Sequence, residues 1–173
     1  MHILQTGVNG DVGREQFLFL LEQGHTVLAT DAVPLLHEVR SRAEGISSGK
    51  WVFQVLDCRE PDAIDRILET AQPRIEGVIH HGAISHPLGD NFRTVHNNNV
   101  VSSYNILEAC ARRGIHRIVQ ASSVNAPGLG FAPDGHITHD KLPIDETCAM
   151  RPVSPAERPP LSFVSEEQGT GGS

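Results

Sequence analysis

Five short apolar runs alternate with four amphipathic segments over the first 125 or so residues, and this rhythm limits the architecture more than any single residue does. The runs "HILQT" (2–6), "HTVLAT" (25–30), "WVFQVL" (51–56), "GVIHH" (77–81) and "RIVQAS" (117–122) have the length and β-branched content of buried strands. Between them, 11–23, 34–44, 60–72 and 90–113 carry helical spacing. Val12, Phe17, Leu20 and Leu21 repeat in the first, with Gly24 as its stop. Glu60-Pro61 opens the third, where Ile64, Ile67 and Leu68 form the apolar stripe, and the fourth carries Val100, Val101, Tyr104, Leu107 and Ala111. Strands that alternate with helices predict a parallel sheet covered on both faces, a doubly wound α/β domain.

Length and charge narrow the partners. A chain of 173 residues can bury one core. The net charge of −7, with no long basic run, argues against nucleic acid or an anionic membrane surface as the main partner. No apolar run approaches a membrane span, and "MHILQTG" lacks the pattern of a secretory signal. Cys58, Cys110 and Cys148 are dispersed and form no CxxC, which suits a reducing compartment without a structural metal; the expected location is the cytoplasm.

The glycines that follow the first run bring in chemistry. "HILQTGVNGDVGREQF" sets Gly7, Gly10 and Gly13 between a strand and a helix. Gly7 permits the tight turn, Gly10 the approach of a pyrophosphate, and Gly13 the packing of helix on strand, while the helix N-terminus offers N–H groups to phosphate. Asn9, Asp11 and Val12 lie in the same turn and are expected at the cofactor. Asp31 follows eighteen residues after Gly13, at the end of the second run. A carboxylate there accepts both ribose hydroxyls of NAD and repels a 2′-phosphate, and no Arg follows it closely, so NAD is expected over NADP. The alternative is a helix cap before "AVPLLHEV".

The spacing Gly7-x-x-Gly10-x-x-Gly13 resembles that of the short-chain dehydrogenase/reductase superfamily, in its extended branch of nucleotide-sugar epimerases and dehydratases. Further stretches agree in order and spacing over about residues 1–155. "VLDCRE" resembles the family's adenine-binding pair, which implies Asp57 through its carboxylate and Cys58 through its backbone. "GVIHHGAISHP" is similar to "VIHLAA", which implies that His81, Gly82 and Ala83 pass beside the cofactor. "NNVVSSYNILEACARRGIHRIVQASSVNAPG" resembles "NVxGTxNxLEAAxxxGVxRxVxxSSxxxYG", implying Asn99 as the structural Asn of the long helix, within the cofactor site, and Ser123 as the substrate-polarising hydroxyl. "LPIDET" matches the loop "PxxE". The fold implied is Rossmann-like, with five strands in the order 3-2-1-4-5 and the sheet incomplete on its C-terminal side.

Plainer readings stand beside these. Ser122 and Ser123 at a strand end can serve only to satisfy backbone groups. His80 and His81 are adjacent on a strand, point to opposite faces and cannot share a metal. His136, His139 and Asp140 fall in a loop, where histidines are more often solvated than ligating.

The superfamily's catalysis, as the resemblance implies, runs through a Tyr and a Lys four residues later. Its "SPYGxSK" would align the Tyr with Ala156 and the Lys with Pro160. The chain has one tyrosine, Tyr104, followed at that spacing by Glu108, and two lysines, Lys50 and Lys141. Tyr104 is expected to pack rather than react. After about residue 125 the rhythm fails. Residues 1–150 are expected to form the dinucleotide domain and 151–173, rich in Pro, Gly and Ser, a disordered tail. The residues that choose a nucleotide sugar, and the helix that covers the fifth strand, are expected in a remainder that this chain lacks. An exposed sheet face there would favour self-association. Three functions remain open: the cofactor half of an NAD-dependent epimerase or dehydratase, a non-catalytic cofactor-sensing or partner-binding module, and a non-functional truncation product. The abrupt change after Pro155 favours a change of reading, by frameshift, retained intron or misplaced splice boundary, over a selected short regulator.

Overall fold

The computed structural model describes residues 1–85, 92–123, 145, 147 and 148. Met1–Ala121 form one compact unit, and the few other described residues belong to a second, Ser122–Ser173. The elements alternate strictly: β1 (His2–Thr6), α1 (Asp11–Glu22), β2 (Thr26–Asp31), α2 (His37–Ile46), β3 (Trp51–Val55), α3 (Pro61–Thr70), β4 (Gly77–His80), α4 (Phe92–Arg112) and β5 (Ile118–Gln120). The five strands form one parallel sheet in the order β3-β2-β1-β4-β5. This is the doubly wound, Rossmann-like sheet expected from the alternation.

The pleat divides the core in two. Ile3, Val27 and Ala29 point to one face and meet Phe17, Leu20, Leu21 and Val39 of α1 and α2. Their neighbours Leu4, Leu28 and Val78 point to the other face, against Ile64 and Leu68 of α3 and Ile106 and Cys110 of α4. The central strand β1 is buried at every residue, whereas β5 has Val119 and Gln120 exposed. Ile118 of the same strand packs on the core shared with α3 and α4, so the exposure of β5 is confined to its last two residues.

Three expectations need correction. Val12 does not join the apolar stripe of α1: it is 67% exposed, because the first turn lies beyond the sheet's end, and Gly13, Leu18 and the residues of the next turns make the buried face. In α4 the expected stripe faces outward, with Val100, Val101, Tyr104, Leu107 and Ala111 exposed. The face on the sheet is instead Ser102, Asn105, Ile106, Ala109 and Cys110. Small side chains let this face approach closely, and the Asn105 amide donates to the carbonyls of Cys58 and Arg59 at 3.0 Å each. Helix α2 starts at His37 rather than at 34, because the preceding backbone is bonded to Asn9. Residues 127–135, the histidines at 136 and 139, Asp140, most of "LPIDET" and the tail 151–173 lie outside the described residues.

Candidate functional site

In a parallel sheet the strand order reverses at one point, and the connections leaving the strands diverge there to open a crevice. Here the reversal lies between β1 and β4, and the chain leaves β1 through Gly7 and β4 through His81. A cavity of about 340 Å³ lies at these C-terminal ends. It brings together Gly7, Asn9, Gly10, Asp31, Asp57, Cys58, His81, Gly82 and Ala83 from the four segments singled out in the sequence, and adds Thr6, Ile84, Asn98 and Ser102. Asp11, Val12, Gly13 and Asn99 do not line it.

The glycine turn is set by sterics. Gly7 has φ +72°, and a Cβ there would meet the His81 carbonyl carbon at 2.7 Å. Gly10 is the N-cap of α1, and no side chain caps this helix, so its first-turn N–H groups have no side-chain acceptor. Asp11, at 90% side-chain exposure, turns to Arg14 at 2.9 Å.

Asp31 closes β2, and both its carboxylate oxygens are oriented by backbone. Oδ2 accepts the N–H of Asn9 at 3.0 Å and Oδ1 that of Val33 at 3.3 Å. It does not cap α2, whose N-cap is Leu36. Asp57 is held by Arg59, which donates to it from both the backbone (2.9 Å) and the guanidinium Nε (3.0 Å). That guanidinium holds the Asp57 carboxyl below its ordinary range. Beside it, burial pushes the Cys58 thiol up to about 12, so Cys58 is a neutral wall and not a nucleophile.

No pattern in the sequence points to Thr6. Its Oγ1 accepts the N–H groups of His81 (3.2 Å) and Gly82 (3.1 Å), and its own proton is therefore directed to His80 Nδ1 at 2.7 Å. His80 is 3% exposed, and burial brings its pKa down to about 4, so the ring is neutral with the proton on Nε2. Burial also lowers the pKa of His81. Both Nε2 atoms are buried, and neither has a hydrogen-bond partner among the described residues. Asn99 works one step behind the wall: its Oδ1 accepts from the Ile84 N–H at 2.8 Å and its Nδ2 donates to the Ile84 carbonyl at 3.0 Å. Ser123 follows β5 in the second unit and is solvent-exposed. Among the described residues no group of three His, Cys, Asp or Glu is placed to hold a metal ion, and no helix is long and apolar enough to cross a membrane. A second, shallower depression of about 570 Å³ lies on the β3 edge, where Arg40 stacks 5.5 Å from the centre of the Trp51 ring. Its polar lining is Arg40, Glu44 and Ser48, with Arg40 and Glu44 facing each other at 4.0 Å, and none of the residues singled out in the sequence for the cofactor lies there.

Comparison with known proteins gives the chain a family and its fold close counterparts. Residues 3–158 match the NAD dependent epimerase/dehydratase family. The UDP-glucose 4-epimerase of Neisseria meningitidis serogroup C is 31% identical over 150 residues, covering 84% of this chain and 42% of that protein. The UDP-glucose 4-epimerase of Caenorhabditis elegans is 29% identical over 140 residues, covering 74% of this chain and 39% of that one. The chain thus spans about two fifths of the length of the curated relatives it matches. In fold it is similar to the UDP-glucose 4-epimerase of Bifidobacterium longum solved with NAD+ and UDP, at a TM-score of 0.71 and 21% identity, over 87% of this chain and 43% of the other.

Proposed function

Because the chain belongs to the NAD-dependent epimerase/dehydratase family, we propose that its cavity binds NAD, with the diphosphate over the Gly7–Gly13 turn and the adenosine between Asp31 and Asp57. The observation that carries this reading is the preset Asp31 carboxylate at the rim of the same cavity as Gly7 and Gly10. Each of its oxygens keeps a lone pair for a ribose hydroxyl after accepting one backbone N–H. The turn fits the group. A Cβ on Gly10 would find only the Gly7 carbonyl oxygen, at 3.5 Å, so the space above it is open. The uncapped N-terminus of α1 faces a charge of the sign that its dipole favours.

The surroundings favour NAD over NADP. Arg14, the cation of the first helix turn, is engaged by Asp11 at 2.9 Å, Glu38 at 3.3 Å and Glu15 at 3.7 Å. A 2′-phosphate beside Asp31 would meet a carboxylate and no uncommitted guanidinium from this turn.

When bound, NAD supplies a hydride acceptor, and this chain's residues bind and orient it. Thr6 fixes the backbone of His81 and Gly82 against the cofactor side of β4, and Asn99 fixes Ile84. Proton transfer is a separate matter. The sequence holds no Tyr-x-x-x-Lys pair, and a serine hydroxyl such as that of Ser123 titrates too far from neutrality to serve by itself as acid and base. The function proposed for these residues is therefore cofactor binding without autonomous turnover. A thermal-shift titration tests the reading: NADH should raise the melting temperature in proportion to log concentration, and no shift at millimolar NADH would refute it.

A further inference from the structure

We propose that Asn9 is a positioning residue for cofactor selectivity: its side chain latches the glycine turn to the segment after β2 and so holds Asp31 in the orientation that discriminates NAD from NADP. The inference rests on the NAD-binding reading above and assigns Asn9 a role other than ligand.

Both ends of the Asn9 side chain are already used. Nδ2 donates to the Pro34 carbonyl at 3.1 Å, and Oδ1 accepts the N–H of Leu36 at 3.0 Å. Together these bonds clamp a loop that is 25 to 27 residues away in sequence. The clamped loop contains Val33, whose N–H orients Asp31 Oδ1, while the backbone N–H of Asn9 itself orients Oδ2. One residue therefore governs both carboxylate oxygens, one directly and the other through the loop. An unlatched loop frees Asp31 to rotate and opens room for a phosphate on the ribose. Alanine at position 9 keeps the backbone N–H and removes the latch alone.

Leu36→Pro gives an independent route to the same loss. Leu36 has φ −61°, which proline adopts without strain, and its side chain is 44% exposed, so the change removes chiefly the N–H that Asn9 accepts. The experiment is isothermal titration of the full chain, of Asn9→Ala, of Leu36→Pro and of the double variant, each with NADH and NADPH, with circular dichroism to verify folding. Loss of two latch bonds should weaken NADH binding about five- to tenfold and shrink the NADH-to-NADPH affinity ratio by a similar factor. Leu36→Pro should shift the ratio in the same direction, and the double variant should lose no more than Asn9→Ala alone, since both act through one contact. A purely structural role would lower stability and leave the ratio unchanged. Selective NADH binding whose ratio survives both single variants overturns this inference and leaves the functional reading intact. Failure of the unaltered chain to bind either dinucleotide overturns both.

Discussion

A Cβ on Gly13 would lie 1.9 Å from the carbonyl oxygen of Gly7, whereas one on Gly10 would lie 3.5 Å from the same oxygen. Gly13 is therefore required by the fold itself, since the first turn of α1 touches the backbone that leaves β1. The space at Gly10 is left open by the folded chain, and on the NAD-binding reading the cofactor's diphosphate fills it.

The two glycines should accordingly fail in different assays. Gly13→Ala is expected to destabilise the chain by about 3 kcal/mol or more, since backbone rather than a side chain must move. Gly10→Ala should change stability by less than about 1 kcal/mol, because its φ of −70° suits alanine. It should still weaken NADH binding about tenfold or more, by intruding on the diphosphate. Urea unfolding and calorimetric titration of both variants make the comparison.

The two faces of α4 give a second test. Ile106 is fully buried and Leu107 is 42% exposed. Ile106→Ala is expected to cost about 2–5 kcal/mol, and Leu107→Ala no more than about 0.5 kcal/mol. Equal losses in chemical denaturation would mean that the outward stripe is covered in solution.

Much of this was legible in the sequence, and the failures share a cause. The strand–helix alternation, the turn after β1 and the acid ending β2 are local patterns, and each lies where its spacing placed it. In α4 two stripes compete at the same helical spacing. The larger apolar set, Val100 through Ala111, looks like the core face, yet the sheet takes the face of Ser102, Asn105 and Ile106. What decides is the close approach allowed by small residues and the Asn105 bonds to a loop 46 to 47 residues away, neither of which has a period. Thr6 and the latch role of Asn9 were hidden for the same reason. Both act through hydrogen bonds to segments distant in sequence, and a Thr or Asn gives no sign of its partner.

Stability should fall in mild acid through His80. Its folded pKa is about 4 against an ordinary value of 6.5, with burial as the main cause and the neighbouring His81 adding to it. Between these pH values the unfolded chain takes up a proton that the folded ring refuses, so unfolding becomes easier as pH drops from 6.5 towards 4. The full effect is on the order of 3 kcal/mol at about 1.4 kcal/mol per pK unit. Any contribution from Asp57 has the same sign but a lower window, being lost only as pH falls through the carboxylate range. Urea midpoints at pH 7.5 and 4.5 should differ markedly for the unaltered chain and less for His80→Gln. An equal pH dependence in the two would contradict the neutral, buried assignment.

Whether this cavity takes NAD, and whether Asp31 chooses it, is tested most directly by isothermal titration of the chain with NADH and NADPH, repeated on Asp31→Ala. The unaltered chain should bind NADH about tenfold or more tightly than NADPH, as expected when a phosphate is set beside an uncompensated carboxylate. In Asp31→Ala NADH binding should weaken and the preference should largely disappear. Equal or tighter binding of NADPH by the unaltered chain, or a preference that persists without the Asp31 carboxylate, would contradict both the site and its selectivity.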